Sequence, residues 1–216
     1  MGTCSAPSAR QVNHMDERSL IYDWNEVDYE FKRNSSNHPH GVWFDDETLR
    51  DGLQSPSARN PTIEQKIELL DYMEQLGIQK VDLGLPGAGP FHRNHIDAML
   101  THIGEQGYSI RPGAAVRTLM GDIEPLVEMQ AKHEMEIQAS AFLGTSPIRQ
   151  YTEGWTMDKL MTTMEGAVSY AVENDVPVMF VTEDTTRSNP EDVKKIYQRA
   201  MELGVRRLCI CDTCGH

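Results

Sequence analysis

The chain has 216 residues, of which 33 are acidic and 20 are basic, and its formal net charge is −13. A polyanion would be repelled over most of such a surface, so nucleic acid is excluded as a partner. No apolar run approaches the roughly 20 residues of a membrane span and no secretory signal pattern is present, so we expect a cytoplasmic protein outside the membrane.

The first 40 residues differ in character from the rest of the chain. They are polar, with few apolar residues beyond Ile21, Tyr22, Trp24, Val27 and Phe31. This composition is typical of a partly disordered extension; packing against the following domain or against a second subunit is the alternative. We therefore divide the chain into an N-terminal extension, residues 1–40, and a second unit, residues 41–216.

From residue 42 onward one unit repeats: a β-rich run, a turn and an amphipathic helix. The predicted strands are 42–46, 80–85, 109–116, 136–143, 176–183 and 206–212, and five helical patterns separate them. Strands that alternate with helices are typical of parallel βαβ units. The sequence therefore predicts an α/β fold with a parallel sheet.

Local signals mark the ends of the predicted helices. Thr62 and Gln65 form a capping box at the first helix, and Gly77 ends it. The apolar face of that helix is predicted to carry Ile63, Ile67, Leu70 and Leu76. The later helices have apolar stripes within 96–103, 123–127, 160–171 and 193–203, and the last of them opens at Asn189-Pro190.

The length of the repeating part bears on the architecture. A complete (β/α)8 TIM barrel needs eight strands and roughly 250 residues. The repeat between residues 42 and 216 has room for only six units, and the chain stops directly after a strand. We expect a partial barrel of about six βα units, either as a fragment or as a part that a partner completes.

Three of the four cysteines, Cys209, Cys211 and Cys214, form a C-x-C-x-x-C run near the end of the chain. Such a run suggests a zinc or redox site. Cys209 and Cys211 lie two apart on one predicted strand, however, and no second cysteine pair completes four ligands unless His216 joins them. We therefore expect these cysteines to be small buried residues on an inner strand, with no metal or redox role.

Two further segments invite a functional interpretation. His92 and His95 are three residues apart on the second predicted helix and could chelate a metal, although helix surfaces often carry such histidines without function. Residues 84–89 are glycine-rich and follow a strand, but they lack the spacing of a dinucleotide loop and the lysine of a phosphate loop. A βα turn explains this segment equally well.

Polar side chains collect where the predicted strands end. These residues are Arg50, Asp51, Asp82, Thr145, Ser146, Glu183, Arg187, Asp212 and Thr213. Because the carboxyl ends of parallel strands share one face of a barrel, we expect these side chains to lie at one rim. Carboxylates suit metal binding and proton transfer, and hydroxyls with arginines suit an anionic substrate.

Five segments in order carry a family resemblance. Residues 46–54, D-E-T-L-R-D-G-L-Q, resemble the D-x-T-L-R-D-G-x-Q signature of the metal-dependent (β/α)8 acyltransferases and lyases. These include 2-isopropylmalate, homocitrate and citramalate synthases and 3-hydroxy-3-methylglutaryl-CoA lyase. The other matching segments are residues 81–86 (V-D-L-G-L-P), 143–148 (L-G-T-S-P-I), 182–187 (T-E-D-T-T-R) and 212–216 (D-T-C-G-H).

The resemblance implies a reaction of amino-acid biosynthesis and carboxylic acid metabolism: acetyl-CoA condenses with a 2-oxo acid. It implies that Asp51 binds a divalent cation (Mg2+, Mn2+ or Zn2+) and that Arg50 stabilises the charged keto oxygen. It also implies that Glu183 contacts the 2-oxo acid or handles a proton, and that Thr213 holds the substrate carboxylate. The same resemblance makes Gln54, Thr145, Ser146 and Arg187 substrate-binding candidates, and a homodimer is possible.

The chain departs from the family pattern in two respects. Asp82 stands where the family has a catalytic glutamate, and its shorter arm weakens the contact that orients Arg50. The family's H-x-H metal ligands belong to a seventh strand, which lies beyond residue 216. An acyltransferase is favoured by the T-S-P-I segment; the alternatives are a carbon–carbon lyase of the same superfamily and a catalytically inactive binding module.

Overall fold

The computed structural model of the chain describes Leu20 and residues 43–216. The predictions for residues 1–40, Leu20 apart, lie outside the described residues. Six strands form one parallel sheet in chain order: β1 (Asp45–Asp46), β2 (Lys80–Asp82), β3 (Arg111–Arg117), β4 (Gln138–Gly144), β5 (Val178–Glu183) and β6 (Arg207–Ile210). Each strand pairs in parallel with the next along the chain. The predicted α/β class and incomplete (β/α)8 barrel are thereby confirmed.

The described part of the chain contains six α-helices, where the sequence predicts five. They are α1 (Ile63–Leu76), α2 (Pro90–Gln106), α3 (Met120–His133), α4 (Pro147–Glu153), α5 (Met157–Glu173) and α6 (Pro190–Glu202). The additional helix is α4, which has Pro147 at its start, Gly154 at its end and no buried residue. Because α4 has only two turns and buries no face, its sequence shows no apolar period from which a helix could be predicted.

The end signals of α1 act as predicted. The Thr62 hydroxyl accepts the backbone N–H of Gln65, and the Gln65 side chain accepts the backbone N–H of Thr62. Gly77 adopts φ 74°, a left-handed conformation in which a side chain would be strained. The inward position predicted for Leu76 is wrong, because its side chain is 78% exposed in the last turn and Met73 takes the buried position.

The core lies between the helices and one face of the sheet. In β5 the residues alternate, so that Val178, Phe180 and Thr182 are buried while the residues between them are partly exposed. Phe180 belongs to one buried cluster with helical side chains that include Leu100, Ile123, Leu160 and Ile196. The alternate residues of β5, Met179, Val181 and Glu183, lie on the opposite face, which is the interior side of the barrel, and are partly exposed.

β6 is the last strand of the sheet and pairs only with β5 among the described residues. The side chain of Ile210 is 70% exposed on it, and Cys209 and Cys211 are half-buried with their Sγ atoms 3.7 Å apart. The prediction of buried cysteines on an inner strand is thus wrong. Cys209 and Cys211 lie on the same side at the end of β6, because side chains two residues apart on a strand point in the same direction.

Within the described residues, no helix combines the length and the apolar character that crossing a membrane requires.

Candidate active site at the carboxyl ends of the strands

The parallel strands bring the predicted polar residues to one edge of the sheet. Asp82 is the last residue of β2 and Glu183 is the last residue of β5. Arg50 and Asp51 follow β1 at the start of a short 3-10 turn, Gly52–Gln54. Arg117, which the sequence reasoning did not single out, ends β3 at the same edge.

Arg50 is held mainly by Glu47, three residues earlier. Its Nε donates to Glu47 Oε2 at 2.7 Å, its Nη1 donates to Asp51 Oδ1 at 3.0 Å, and its Nε lies 3.9 Å from Asp82 Oδ2. Burial lowers the pKa of the guanidinium, but the carboxylate of Glu47, followed by that of Asp82, outweighs it and raises the pKa overall. Arg50 therefore stays charged at the rim.

Asp82 is buried and only partly satisfied. Its Oδ1 accepts the backbone N–H groups of Gly84 at 3.0 Å and Ala115 at 3.2 Å, while its Oδ2 has no hydrogen-bond partner among the described residues. Burial, reinforced by the nearby charge of Glu47, raises the pKa of Asp82 to about 7. The carboxyl group can thus exchange a proton near neutral pH.

Glu183 faces a cavity of about 390 Å³ between β3, β4 and α5. Arg149 lies beside it, with Nη2 at 3.8 Å from Glu183 Oε2, and also pairs with Glu153 at 3.2 Å. The cavity has apolar walls that include Phe142 and Trp155. An apolar pocket with a carboxylate and a guanidinium at its edge is typical of a small-molecule site.

Thr145 and Ser146 are fully buried behind this cavity. The Thr145 hydroxyl is 2.9 Å from the hydroxyl of Ser188, and the Ser146 hydroxyl has no hydrogen-bond partner among the described residues. Thr145 thereby connects the end of β4 to the loop after β5. A direct contact of either hydroxyl with substrate stays a prediction.

Arg187 and Thr213 organise the loop after β5. The guanidinium of Arg187 forms two hydrogen bonds of 2.7 Å with buried Asp184, and its Nη2 lies 3.1 Å from Cys214 Sγ. The hydroxyl of Thr213 accepts the backbone N–H of Asp184 at 2.9 Å. Asp184 has φ 60°, an uncommon value for a residue other than glycine, and these contacts hold it there.

The described residues around Asp51 do not fit a divalent-cation site. The carboxylate of Asp51 is 67% exposed and pairs with Arg50, and no group of three or more His, Cys, Asp or Glu side chains in the described part of the chain is arranged to hold a metal ion. One exposed carboxylate does not fit a resident Mg2+, Mn2+ or Zn2+ ion, which needs several converging ligands. The predicted metal role of Asp51 stays a prediction.

Gln54 is exposed at the end of the short turn after Asp51 and lines a second, smaller cavity of about 220 Å³. Arg50 lines the same cavity from the other side of the turn. The structure therefore brings Gln54 and Arg50 to one pocket, and Glu183 to a different one.

Sequence reasoning missed two ion pairs at this edge. Glu47 lies three residues before Arg50, and that spacing on a turn could have indicated the first pair. Asp122 receives two hydrogen bonds of 2.8 Å from the side chain of Arg117, a residue that the sequence reasoning did not single out. Arg149 belongs to α4, a helix that the sequence pattern did not predict.

A comparison with family models shows to which family the chain belongs. The model described as HMGL-like matches residues 42–216. The chain belongs to the HMGL-like family. Within this family, a homocitrate synthase of Methanocaldococcus jannaschii is 31% identical over 176 residues, which cover 81% of this chain and 41% of the relative. A 2-isopropylmalate synthase of Lactococcus lactis subsp. cremoris is 31% identical over 178 residues, which cover 81% of this chain and 33% of the relative.

This HMGL-like chain spans about a third to two fifths of the length of the curated relatives it matches. A solved structure, the HMG-CoA lyase from Brucella melitensis, superposes with a TM-score of 0.62 at 17% identity and covers 81% of this chain and 62% of that one. At this identity the likeness concerns the fold alone. The named relatives are enzymes, both synthases and lyases, so the family is a family of enzymes.

Proposed function

We propose that the chain carries the strand-end half of an acyltransferase site that condenses acetyl-CoA with a 2-oxo acid. The observation that carries the proposal is the Arg50–Asp82 pair at the carboxyl edge of the sheet, a guanidinium with a buried carboxyl group of pKa about 7 beside it. The synthases among the relatives support the proposed acyltransferase activity.

The reaction makes three demands on the site. A base removes a methyl proton from acetyl-CoA, the resulting carbon attacks the keto carbon of the 2-oxo acid, and water then hydrolyses the thioester. The products are a 2-hydroxy acid that carries one carboxylate more than the 2-oxo acid, and CoA as the free thiol. The keto oxygen gains a full negative charge on attack, so a fixed cation next to it lowers the barrier by a few kcal/mol.

The proton transfer and the charge on the keto oxygen have candidate groups among the described residues. Arg50 supplies the cation for the keto oxygen, and Asp82 positions it from the buried side. Glu183, at the edge of the larger cavity, contacts the 2-oxo acid or takes up the proton. Gln54, Arg187 and Thr213 remain candidates for binding the substrate carboxylates, and a divalent cation at Asp51 would need further ligands.

The experiment compares two substrates on the 216-residue chain. Free thiol is measured after addition of acetyl-CoA with and without pyruvate, 2-oxoisovalerate or 2-oxoglutarate, and separately acyl-CoA cleavage is measured with 3-hydroxy-3-methylglutaryl-CoA. We expect thiol release that requires a 2-oxo acid. Cleavage of the second substrate without condensation would indicate a lyase, and binding without turnover would indicate a binding module; either result contradicts the proposal.

Two organisational predictions accompany the proposed function. Limited proteolysis measures the division into an extension at residues 1–40 and a domain at residues 41–216. Light scattering measures the assembly into a homodimer.

A further inference from the structure

The cavity of about 220 Å³ has an unusual charge pattern. It lies between the loop after β1, the first turns of α1 and α2 and the end of β2, and its polar lining consists of Arg50, Gln54, Asn60, Lys66, His92 and His95. None of the described residues that line it is acidic, although the chain carries a net charge of −13. The pocket is therefore a cationic feature on a strongly anionic protein.

Lys66 is the most unusual of these residues. It lies on the buried face of α1 with Leu70 and Met73, and only 3% of its surface is exposed. Its ammonium group makes no hydrogen bond and no ion pair with the described residues, and burial lowers its pKa. The ammonium nitrogen itself still opens onto the cavity, but a cation on so buried a side chain is poorly solvated, and a bound anion would offset that cost.

His95 adds a second unsatisfied group in the same pocket. Its ring packs on Phe91 with the ring centroids 4.2 Å apart, and its buried Nδ1 has no hydrogen-bond partner among the described residues. Burial lowers the pKa of His95, and the charge of Lys66 lowers it further, while Glu64 opposes this more weakly. The positive charge of Lys66 thus acts on the imidazole of His95, and the Nδ1 atom of that ring remains available for a hydrogen bond.

Arg50 contributes less free charge to the pocket than its position suggests. Its guanidinium is already hydrogen-bonded to Glu47 and Asp51. The Lys66 ammonium and the buried Nδ1 of His95 consequently remain open to a ligand.

We propose that this pocket binds an oxyanion, a carboxylate or phosphate group of a small ligand, with Lys66 as the counter-charge and His95 as a hydrogen-bond donor. The inference rests on the proposed function in that Arg50 and Gln54 line this same cavity, and it goes beyond the condensation by giving a role to Lys66 and His95. A carboxylate could come from the 2-oxo acid and a phosphate from the CoA thioester or from free phosphate; the shared chemistry is an oxyanion in both cases.

The test measures binding without turnover, so its result is independent of the acyltransferase assay. The full chain is titrated by calorimetry with 2-oxobutanoate, acetyl-CoA and inorganic phosphate in separate experiments, which identifies the source of the oxyanion. Lys66→Met keeps the length of the side chain and removes its charge, and we expect its affinity to fall about 10- to 100-fold for whichever probe binds the unaltered chain. Lys132→Met, at an exposed lysine paired with Asp97, is the matched control and should leave the affinity unchanged.

A second measurement on the unaltered chain covers the case in which Lys66→Met does not fold. The ring signals of His95 are followed by NMR during the same titrations and should shift, while those of His133, which pairs with Asp97 elsewhere, should not. Equal affinity of the unaltered chain and Lys66→Met would overturn the proposal. So would the absence of any His95 shift with all three probes.

Discussion

Arg50 Nε lies 3.9 Å from Asp82 Oδ2 but only 2.7 Å from Glu47 Oε2, so the guanidinium is bonded to a residue of its own turn and only approaches the carboxyl group of the neighbouring strand. The shorter arm of an aspartate accounts for the longer distance. It also accounts for the unpartnered Oδ2 of Asp82, whose pKa is raised by burial and by the nearby charge of Glu47.

This relationship predicts an unusual pH dependence of stability. The unfolded chain ionises Asp82 near its ordinary pKa of 3.8, whereas the folded chain keeps it protonated up to a pKa of about 7. The folded state therefore holds one more proton between these values, and the free energy of unfolding falls as pH rises from 4 to 7, by roughly 4 kcal/mol from this group.

The substitution Asp82→Asn tests that pH dependence, because the amide oxygen can still accept the two backbone N–H groups and cannot ionise. Relative to the unaltered chain, urea unfolding should show a gain in stability that grows from pH 4 to pH 7. Asp97→Asn is the control, since Lys132 lowers the pKa of Asp97 and its contribution is lost only at acid pH. A constant difference between Asp82→Asn and the unaltered chain across this range would contradict the buried-acid interpretation.

Glu47 should influence Asp82 through its charge. Glu47→Gln removes a negative charge that raises the pKa of Asp82, so we expect the pKa of Asp82 to fall below about 7. The same change should cost about 1 kcal/mol of stability, because Arg50 loses its principal ion pair. Carboxyl NMR titration measures the first effect, with Glu124→Gln on the exposed side of α3 as the control; an unchanged Asp82 pKa in Glu47→Gln would refute the coupling.

Gly87 allows the close approach of Asp122 to Arg117. An added Cβ at Gly87 would lie 2.1 Å from Asp122 Oδ1, a buried oxygen held by the Arg117 side chain. Gly87→Ala should therefore destabilise the chain by about 2 kcal/mol or more, through displacement of the buried Asp122 carboxylate from the half-exposed Arg117 side chain.

The control for this substitution is Gly166→Ala in the middle of α5, where no atom lies within 4 Å of the added Cβ. Alanine in a helix interior should stabilise the chain by about 0.5–1 kcal/mol. Thermal unfolding of both variants measures the contrast, and equal melting temperatures would show that Asp122 moves aside freely.

The two half-buried thiols of β6 should differ in reactivity. The hydrogen bond with Cys211 lowers the pKa of Cys209 to about 7, while the pKa of Cys211 is raised by its neighbour. Alkylation of Cys209 by iodoacetamide should therefore follow a titration near pH 7, and Cys211→Ala should move that midpoint upward. A midpoint above pH 8 in the unaltered chain would contradict the thiol pairing.

Much of the fold follows from local sequence signals. The capping box at Thr62 and the glycine after α1 act within one helical turn, so no knowledge of the rest of the chain is needed to predict them. Helix α4 escaped prediction because it buries no side chain and thus has no apolar period. Leu76 was misplaced because the 3.6-residue period does not indicate where a helix extends past its neighbours.

The candidate site was predictable only in part. Strand ends indicated Arg50, Asp82 and Glu183, since parallel topology alone brings strand ends to one edge. The pairing of Arg50 with Glu47 depends on side-chain distances that no pattern supplies. Lys66 did leave a signal: its spacing of four residues from Leu70 places it on the apolar face of α1, where a charged residue is unexpected.

The most direct measurement of the proposed function is the dependence of thiol release on Arg50. We expect the chain to release CoA from acetyl-CoA only when a 2-oxo acid is present, and Arg50→Lys to lower kcat/KM at least about 100-fold, because a fixed donor to the keto oxygen is lost. Arg199→Lys, on the surface of α6 and paired with Glu165, should leave the rate unchanged. Thiol release that does not require the 2-oxo acid, or that is equal in Arg50→Lys and the unaltered chain, would contradict the proposed condensation.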